Sequence, residues 1–329
     1  MVSGDDTWSA NLRRSALRLR AATSSLGIDD EPREVELGQV AAFVRGGRLW
    51  LDAVDLAERD ALRAMGAGLL WGVRNSVDGL GVLGAGNFGS IARQAGYFSL
   101  PIEVFVAGER GVVPAGTAAH EHIEPHGEHL VLAERIRRAN ADVVIEHGVV
   151  GGEVLGLEVC RVVDEPDGPR LRVGVGAHDR ETFQMVHGDD ADVTQLLRVV
   201  AEVAEHRRDP ARRHPLARLA AERAMRHRAL VDPQCVGMRE LHPSEPPLRR
   251  DNLKDPVPCC AVGTAIDGSR AVVVFAGGLE PILLPFAADA VDRIDRDAEL
   301  HIAIAERSTL PTIAQLATAM RRTVTFVHA

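Results

Sequence analysis

The hydrophobic pattern changes period several times along the chain, and each change marks an element. Apolar residues on both sides of Gly46-Gly47, from Val40 to Leu51, predict two strands joined by a tight turn. From Asp55 to Trp71, Leu56, Leu62, Met65, Leu69 and Leu70 fall at helical spacing. Gly79 to Leu83 then reads as a strand, Asn87 to Phe98 as a helix and Ile102 to Val106 as a strand. The C-terminal end repeats this order at a nearly constant offset. Arg270–Phe275, Leu300–Ile304 and Val324–Val327 are strands, separated by helices at Leu284–Ile294 and Thr309–Met320. Strands alternating with helices imply parallel pairing and right-handed crossovers.

A different order lies between. A helix at His129–Ala139 precedes strands at Asp142–Glu146, Glu153–Val163 and Leu171–Gly176, and a helix at Asp190–His206 follows. This α-β-β-β-α order predicts an antiparallel meander flanked by helices. The expected fold class is therefore α/β: two small βαβαβ lobes, Rossmann-like and candidates for a duplication, flanking a central α+β core. The expected divisions are a flexible tail (1–36), an N-terminal α/β lobe (37–118), the central core (119–206), an Arg-rich helix and Pro-rich connection (207–268) and a C-terminal α/β lobe (269–329).

Composition narrows the functions. No apolar run is long enough for a membrane helix, and residues 1–26 lack a signal-peptide core. The four cysteines, Cys160, Cys235, Cys259 and Cys260, form no CxxC pair, which fits a reducing cytoplasm. Lys254 is the only lysine, and no glycine-rich loop precedes it. Schiff-base and Walker-type phosphate chemistry both need a lysine at a defined place, so neither is supported.

Five groups of residues carry candidate chemistry. The sharpest is Gly84-Ala85-Gly86-Asn87-Phe88-Gly89, which follows a strand and opens a helix, as a dinucleotide fingerprint requires. Gly84, Gly86 and Gly89 would let the backbone approach a pyrophosphate, with Glu103 the candidate ribose acid. Four histidines, His120, His122, His126 and His129, share ten residues with three glutamates, a donor set suited to a metal.

In the central strands, Asp142 precedes Val143-Val144-Ile145-Glu146, and Glu158-Val159-Cys160 follows. This resembles the PD-(D/E)xK nucleases, and the resemblance covers about 60 residues. It would make Asp142 and Glu158 metal ligands, but Cys160 stands where the family has its lysine and Ala141 where it has its proline. Arg161 is one residue on, which in a regular strand points to the opposite face. The resemblance thus implies a degenerate core.

The net charge of -9 hides a segment, His206 to Arg228, with eight arginines against Asp209 and Glu222. Arg207, Arg208, Arg212, Arg213, Arg223 and Arg226 are its candidate contacts to a polyanion or nucleic acid. No aromatic residue lies between Phe183 and Phe275, so single-strand stacking has no platform there. Last, His178 and Asp179 form a candidate acid/base pair at a strand end.

Each catalytic set is incomplete, so the leading expectation is a non-catalytic binding or assembly protein. The alternatives are a nucleic-acid-processing protein with a degenerate nuclease-like core, and an NAD(P)-type nucleotide-dependent enzyme using Gly84–Gly89. No cofactor is assigned.

Overall fold

The computed structural model describes residues 4–86, 88–108, 111–187, 193–208, 214–250, 252–253, 255–278, 280–305 and 317–329. The chain is mixed α/β and divides into two compact units. The first is Met1–His120 with Leu279–Asp289 and Thr309–Val324; the second is Glu121–Gly278 with Ala290–Ser308 and Thr325–Ala329. Among the described residues, no helix is long and apolar enough to cross a membrane.

The first unit contains α1 (Gly4–Ser25), β1 (Arg33–Leu37), β2 (Val40–Arg45), β3 (Arg48–Asp52), α2 (Glu58–Asn75), β4 (Gly79–Gly84), α3 (Gly89–Ala95), β5 (Ile102–Gly108) and β6 (Gly111–Pro114). Its six strands form one sheet in chain order. β1, β2 and β3 are antiparallel, β3, β4 and β5 are parallel, and β6 returns antiparallel. β4 is buried at every position, which is why it reads as an unbroken apolar run. Strand order never reverses in this sheet, so it lacks the reversal at which doubly wound sheets open a ligand crevice.

Within the expected tail, α1 and β1 are ordered elements of this unit. α1 buries Leu19 and Ala22 against Phe43, Trp50, Leu83 and Phe105. Arg45 then meets the open C-terminal end of α1. Its guanidinium donates to the Arg20 carbonyl at 3.3 Å, to Thr23 Oγ1 at 2.7 Å, to Ser24 Oγ at 3.1 Å and to the Asp30 carbonyl at 2.6 Å. A cation there offsets the negative end of the helix dipole.

The second unit holds α4 (Gly127–Arg138), β7 (Asp142–Glu146), β8 (Val149–Val154), β9 (Leu157–Glu165), β10 (Gly168–Val173), α5 (Ala177–His187), α6 (Val193–Arg208), α7 (Pro215–Arg218), α8 (Ala221–Val231), β11 (Met238–Ser244), β12 (Cys259–Ala265) and β13 (Arg270–Ala276). The division between the units falls along α9 (Leu283–Ile294); β14 (Glu299–Ile304) and β15 (Val324–His328) complete the elements. β7 to β10 form an antiparallel meander, covered on one face by α4 and α6 around Ile136, Val150, Val159, Cys160, Leu196 and Val203. β11 to β15 form a five-stranded sheet in chain order, antiparallel through β13 and parallel between β13 and β14.

Three differences from the sequence reading have local causes. The expected strand Glu153–Val163 is two strands, because Leu155 and Gly156 both take left-handed backbone angles (φ 50° and 78°) and form a tight hairpin turn. His147 and Gly148 (φ 51° and 74°) make the same kind of turn between β7 and β8. The Pro-rich connection contains β11, an outer strand of its sheet, where proline at position 243 leaves no central ladder bond unmade.

Leu19 is fully buried. Leu19→Ala should lower unfolding free energy by about 2–5 kcal/mol, as deletion of a core leucine does. Chemical denaturation checks this; a change near zero would mean that α1 is a solvated tail.

Candidate functional site

The second unit concentrates ionisable groups on the meander face turned away from α4 and α6. Alternation along β8 sends Val150 and Val154 into the core, and Val149, Gly151 and Glu153 to the other face. On β9 the alternation breaks. Cys160 pairs with Gly152, but the next pair is Glu158 with Glu153, so β9 has one residue more than β8. This bulge puts both Val159 and Cys160 in the core and returns Glu158 and Arg161 to one face. The two side chains meet there: Arg161 Nε donates to Glu158 Oε1 at 3.1 Å and Nη2 to Oε2 at 2.9 Å. Arg161 does lie opposite Cys160, as the sequence reading has it, but its sharing a face with Glu158 needs the bulge, which leaves no mark on the apolar pattern.

Two further elements reach this face. Arg180 of α5 donates to Glu158 Oε1 at 2.8 Å. α8 supplies Arg223, which donates to Glu146 and Glu153, and Arg226, which bonds the same two carboxylates at 3.1 and 3.3 Å. Arg250, between β11 and β12, donates to Glu222 at 3.3 Å. Gly156 permits the close seating of α8, since a Cβ there would lie 2.4 Å from the Arg223 backbone.

The electrostatics follow from burial against pairing. Burial would raise the Glu146 carboxyl, yet Arg223 and Arg226 outweigh it and hold the group at about 2. Glu222 is raised, because burial outweighs Arg250 and Arg223. Burial, with neighbouring positive charge, lowers Arg180 and Arg250. His147 is lowered by burial and by Arg293, so its ring favours the neutral form. Cys160 is pushed up to about 12 by burial, which leaves a neutral thiol packed in the core.

A narrow neck of about 40 Å³, lined by Glu146, His147, Glu153, Arg223 and Arg249 among others, opens at this cluster. It shares Glu158, Arg161 and Arg250 with a wider cavity of about 410 Å³ that adds Val175, Gly176, Ala177, Arg180, Leu219 and Leu253.

The sequence candidates are distributed differently. Asp142 pairs with Glu153, and Glu153 with Glu158, so all three lie in one row across the sheet. Asp142 is nevertheless exposed at the sheet edge, 3.3 Å from His227, and Glu158 is held by two arginines. Asp179 accepts from the Val175 amide at 2.6 Å, fixing the entry to α5. His178 is in the first turn of α5, and its side chain lies outside the described residues.

In the first unit the glycine loop is occupied by protein. A Cβ on Gly84 would strike the Phe88 ring at 2.2 Å, and one on Gly89 would strike Ala118 at 2.6 Å. Gly86 has φ 63°, a turn conformation that favours glycine. Asn87 lies outside the described residues. Glu103 is exposed within β5 and pairs with Arg48. Close packing thus accounts for Gly84 and Gly89, and the turn conformation for Gly86.

The histidines have separate partners. His120, in the first unit, lies 3.8 Å from the buried Asp289. In the second unit His122 pairs with Glu124 at 2.8 Å and His129 with Asp164 at 2.7 Å, while His126 precedes α4 with its ring 6.0 Å from His129. Among the described residues, no group of three His, Cys, Asp or Glu could hold a metal ion.

Of the six described arginines of this segment, Arg207, Arg223 and Arg226 are buried, and Arg208, Arg218 and Arg228 are exposed. Arg207 is buried and donates to the carbonyls of Leu155, Leu216 and Leu219, clamping the hairpin turn to α7. Arg223 and Arg226 are buried on Glu146 and Glu153, and Arg208 is exposed. Arg212 and Arg213 lie outside the described residues. The three buried ones are received by main-chain carbonyls (Arg207) and by strand carboxylates (Arg223 and Arg226). Compared with protein-family models, curated proteins and solved structures, the chain matches none.

Because Glu146 is held below its ordinary 4.5, its pairing supports folding at neutral pH and is lost as pH falls from about 4.5 toward about 2. Glu146→Gln should therefore flatten the acid limb of the stability curve over that window. At pH 7 it should cost roughly 3 kcal/mol, since it leaves buried guanidinium charge undercompensated. Denaturant titrations at several pH values check both; an unchanged acid limb would show that Glu146 does not carry this dependence.

Proposed function

We propose that this chain is a non-catalytic binding protein, and that the cleft of its second unit takes a small anionic ligand. One observation carries the reading. Arg161, Arg180, Arg223 and Arg250 line one opening with Glu146, Glu153 and Glu158, and Arg226 and Glu222 pair with members of this set. These five arginines exceed the four glutamates by one formal positive charge in a protein whose net charge is -9. A buried cation without full compensation is unfavourable, and an anion supplies what is missing.

The residue type also suits an anion. Guanidinium groups recognise oxyanions through several N–H donors in a fixed plane. Arg161 directs two donors at Glu158, Arg180 one, and Arg250 one at Glu222, which leaves part of each fork for a ligand. The glutamates hold arginines rather than standing ready for proton transfer, which favours binding over acid/base catalysis.

Inorganic phosphate should raise the melting temperature of the full chain in low-salt buffer, as expected of a ligand that binds the native state. The double variant Arg161→Gln, Arg180→Gln should lose most of that rise. Differential scanning fluorimetry with phosphate, sulfate and acetate reads the effect. No shift with any anion at tens of millimolar would remove the proposal.

A further inference from the structure

We infer that the cleft takes a small hydroxycarboxylate, with its carboxylate at the junction of Glu158, Arg161 and Arg250 and its hydroxyl in the neck against His147 and Arg223. This rests on the anion-cleft reading and deepens it by naming the ligand class.

Two residues that line the neck each carry a buried polar atom with no hydrogen-bond partner among the described residues. Arg223 directs both terminal nitrogens at Glu153 and Glu146, and the side chain is only 6% exposed, yet its Nε–H meets no acceptor. His147 takes the left-handed turn between β7 and β8, with φ 51°. Its ring donates to the Pro246 carbonyl while Nε2 is buried and meets no donor. The proton of the neutral ring is therefore on Nδ1, and Nε2 presents a lone pair. Burial and the charge of Arg293 both favour that neutral form.

A donor and an acceptor on one narrow space ask for a group that is both. A hydroxyl fits, since its oxygen accepts from Arg223 Nε and its proton goes to His147 Nε2. A carboxylate oxygen can take the first bond but has no proton for the second. An ammonium could make the second but would meet Arg223 with like charge. The neck, at about 40 Å³, has room for such a group and little more.

The body of the ligand then belongs in the adjoining cavity of about 410 Å³, which the neck meets at Glu158, Arg161 and Arg250. The charged group falls at that junction, beside the hydroxyl. Carboxylate is the anion these arginines already hold. Arg161 grips Glu158 through Nε and Nη2, Arg180 bonds the same carboxylate, and Arg250 bonds that of Glu222. The rest of the cavity wall is mixed, with Val175, Leu219 and Leu253 beside the amide of Asn252. It gives room to a short carbon chain, and the selection comes from the junction and the neck.

Isothermal titration of the full chain at pH 7.5 with both enantiomers of lactate, with propionate and with inorganic phosphate tests the inference. Lactate and propionate share a charge and differ by one hydroxyl. The tighter lactate enantiomer should bind at least ~10-fold more tightly than propionate, because the analogue leaves buried polar atoms unpaired. His147→Asn keeps a residue type that tolerates the left-handed backbone and withdraws the ring acceptor. It should bring lactate down to the affinity of propionate and leave propionate unchanged. Nitrogen NMR of the unaltered chain gives a readout independent of how that variant folds. The His147 Nε2 resonance should move upfield with lactate and stay in place with propionate. Equal affinity for lactate and propionate would overturn the inference, as would a lactate preference that survives His147→Asn with Nε2 unmoved. Phosphate binding without either carboxylate would overturn it and leave the anion cleft standing. Failure of all these anions to bind would remove the anion cleft itself.

Discussion

The second unit depends on four buried charges. Arg223 and Arg226 of α8 grip Glu146 at the end of β7 and Glu153 in β8, and all four side chains are largely out of water. Removing ions from water is strongly unfavourable, and only good mutual geometry with further hydrogen bonds offsets it. Both carboxylates receive both guanidiniums, so no member is left alone. An apolar cluster of the same size could hold α8 to the meander at least as firmly. What the charges add is register. An apolar helix face can slide or rotate with little penalty, whereas a displaced α8 would strand two guanidiniums and two carboxylates. That fixed α8 also carries Glu222, which receives Arg250.

The parts of the fold that sequence makes legible are those set by local periodicity. The Gly46-Gly47 hairpin, the parallel strands β4 and β5, and the α-β-β-β-α order of the centre all follow from spacing two to four residues apart. The parts it concealed are set by partners distant in sequence. α1 has four arginines among its apolar positions and resembles a polar tail, until Arg45 and Trp50 are seen to receive its inner face. β11 sits among prolines that suggest a linker, and it exists because β12 offers an edge.

The candidate site shows the same division. Glu146, Glu158, Arg223 and Arg226 could each be named from local runs of sequence, but their roles could not. Arg223 and Arg226 look like part of a basic surface because their neutralising carboxylates lie on strands some 70 to 80 residues earlier. The glycine loop looks like a phosphate cradle because close packing by Phe88 and Ala118 and close approach by a pyrophosphate ask for the same residue. Charge density and glycine spacing state that space or counter-charge is needed; only the fold says what supplies it.

The place of Glu158 in an anion cleft then has a physical account. A carboxylate among arginines weakens attraction for a second anion, so a site selected for affinity alone would omit it. Arginine side chains, however, have large rotamer entropy, and three of them facing a cavity without an acceptor would repel one another and scatter. Glu158 binds Arg161 through two hydrogen bonds and Arg180 through one, which fixes both guanidinium planes before any ligand arrives. The ordering entropy is then spent during folding rather than at binding, and preorganisation of this kind raises affinity without any new contact. The bulge in β9 is the backbone feature on which this rests. Without the extra residue, Arg161 would face α4 and the core, Cys160 would face the cleft, and the arginine pair would have no common anchor.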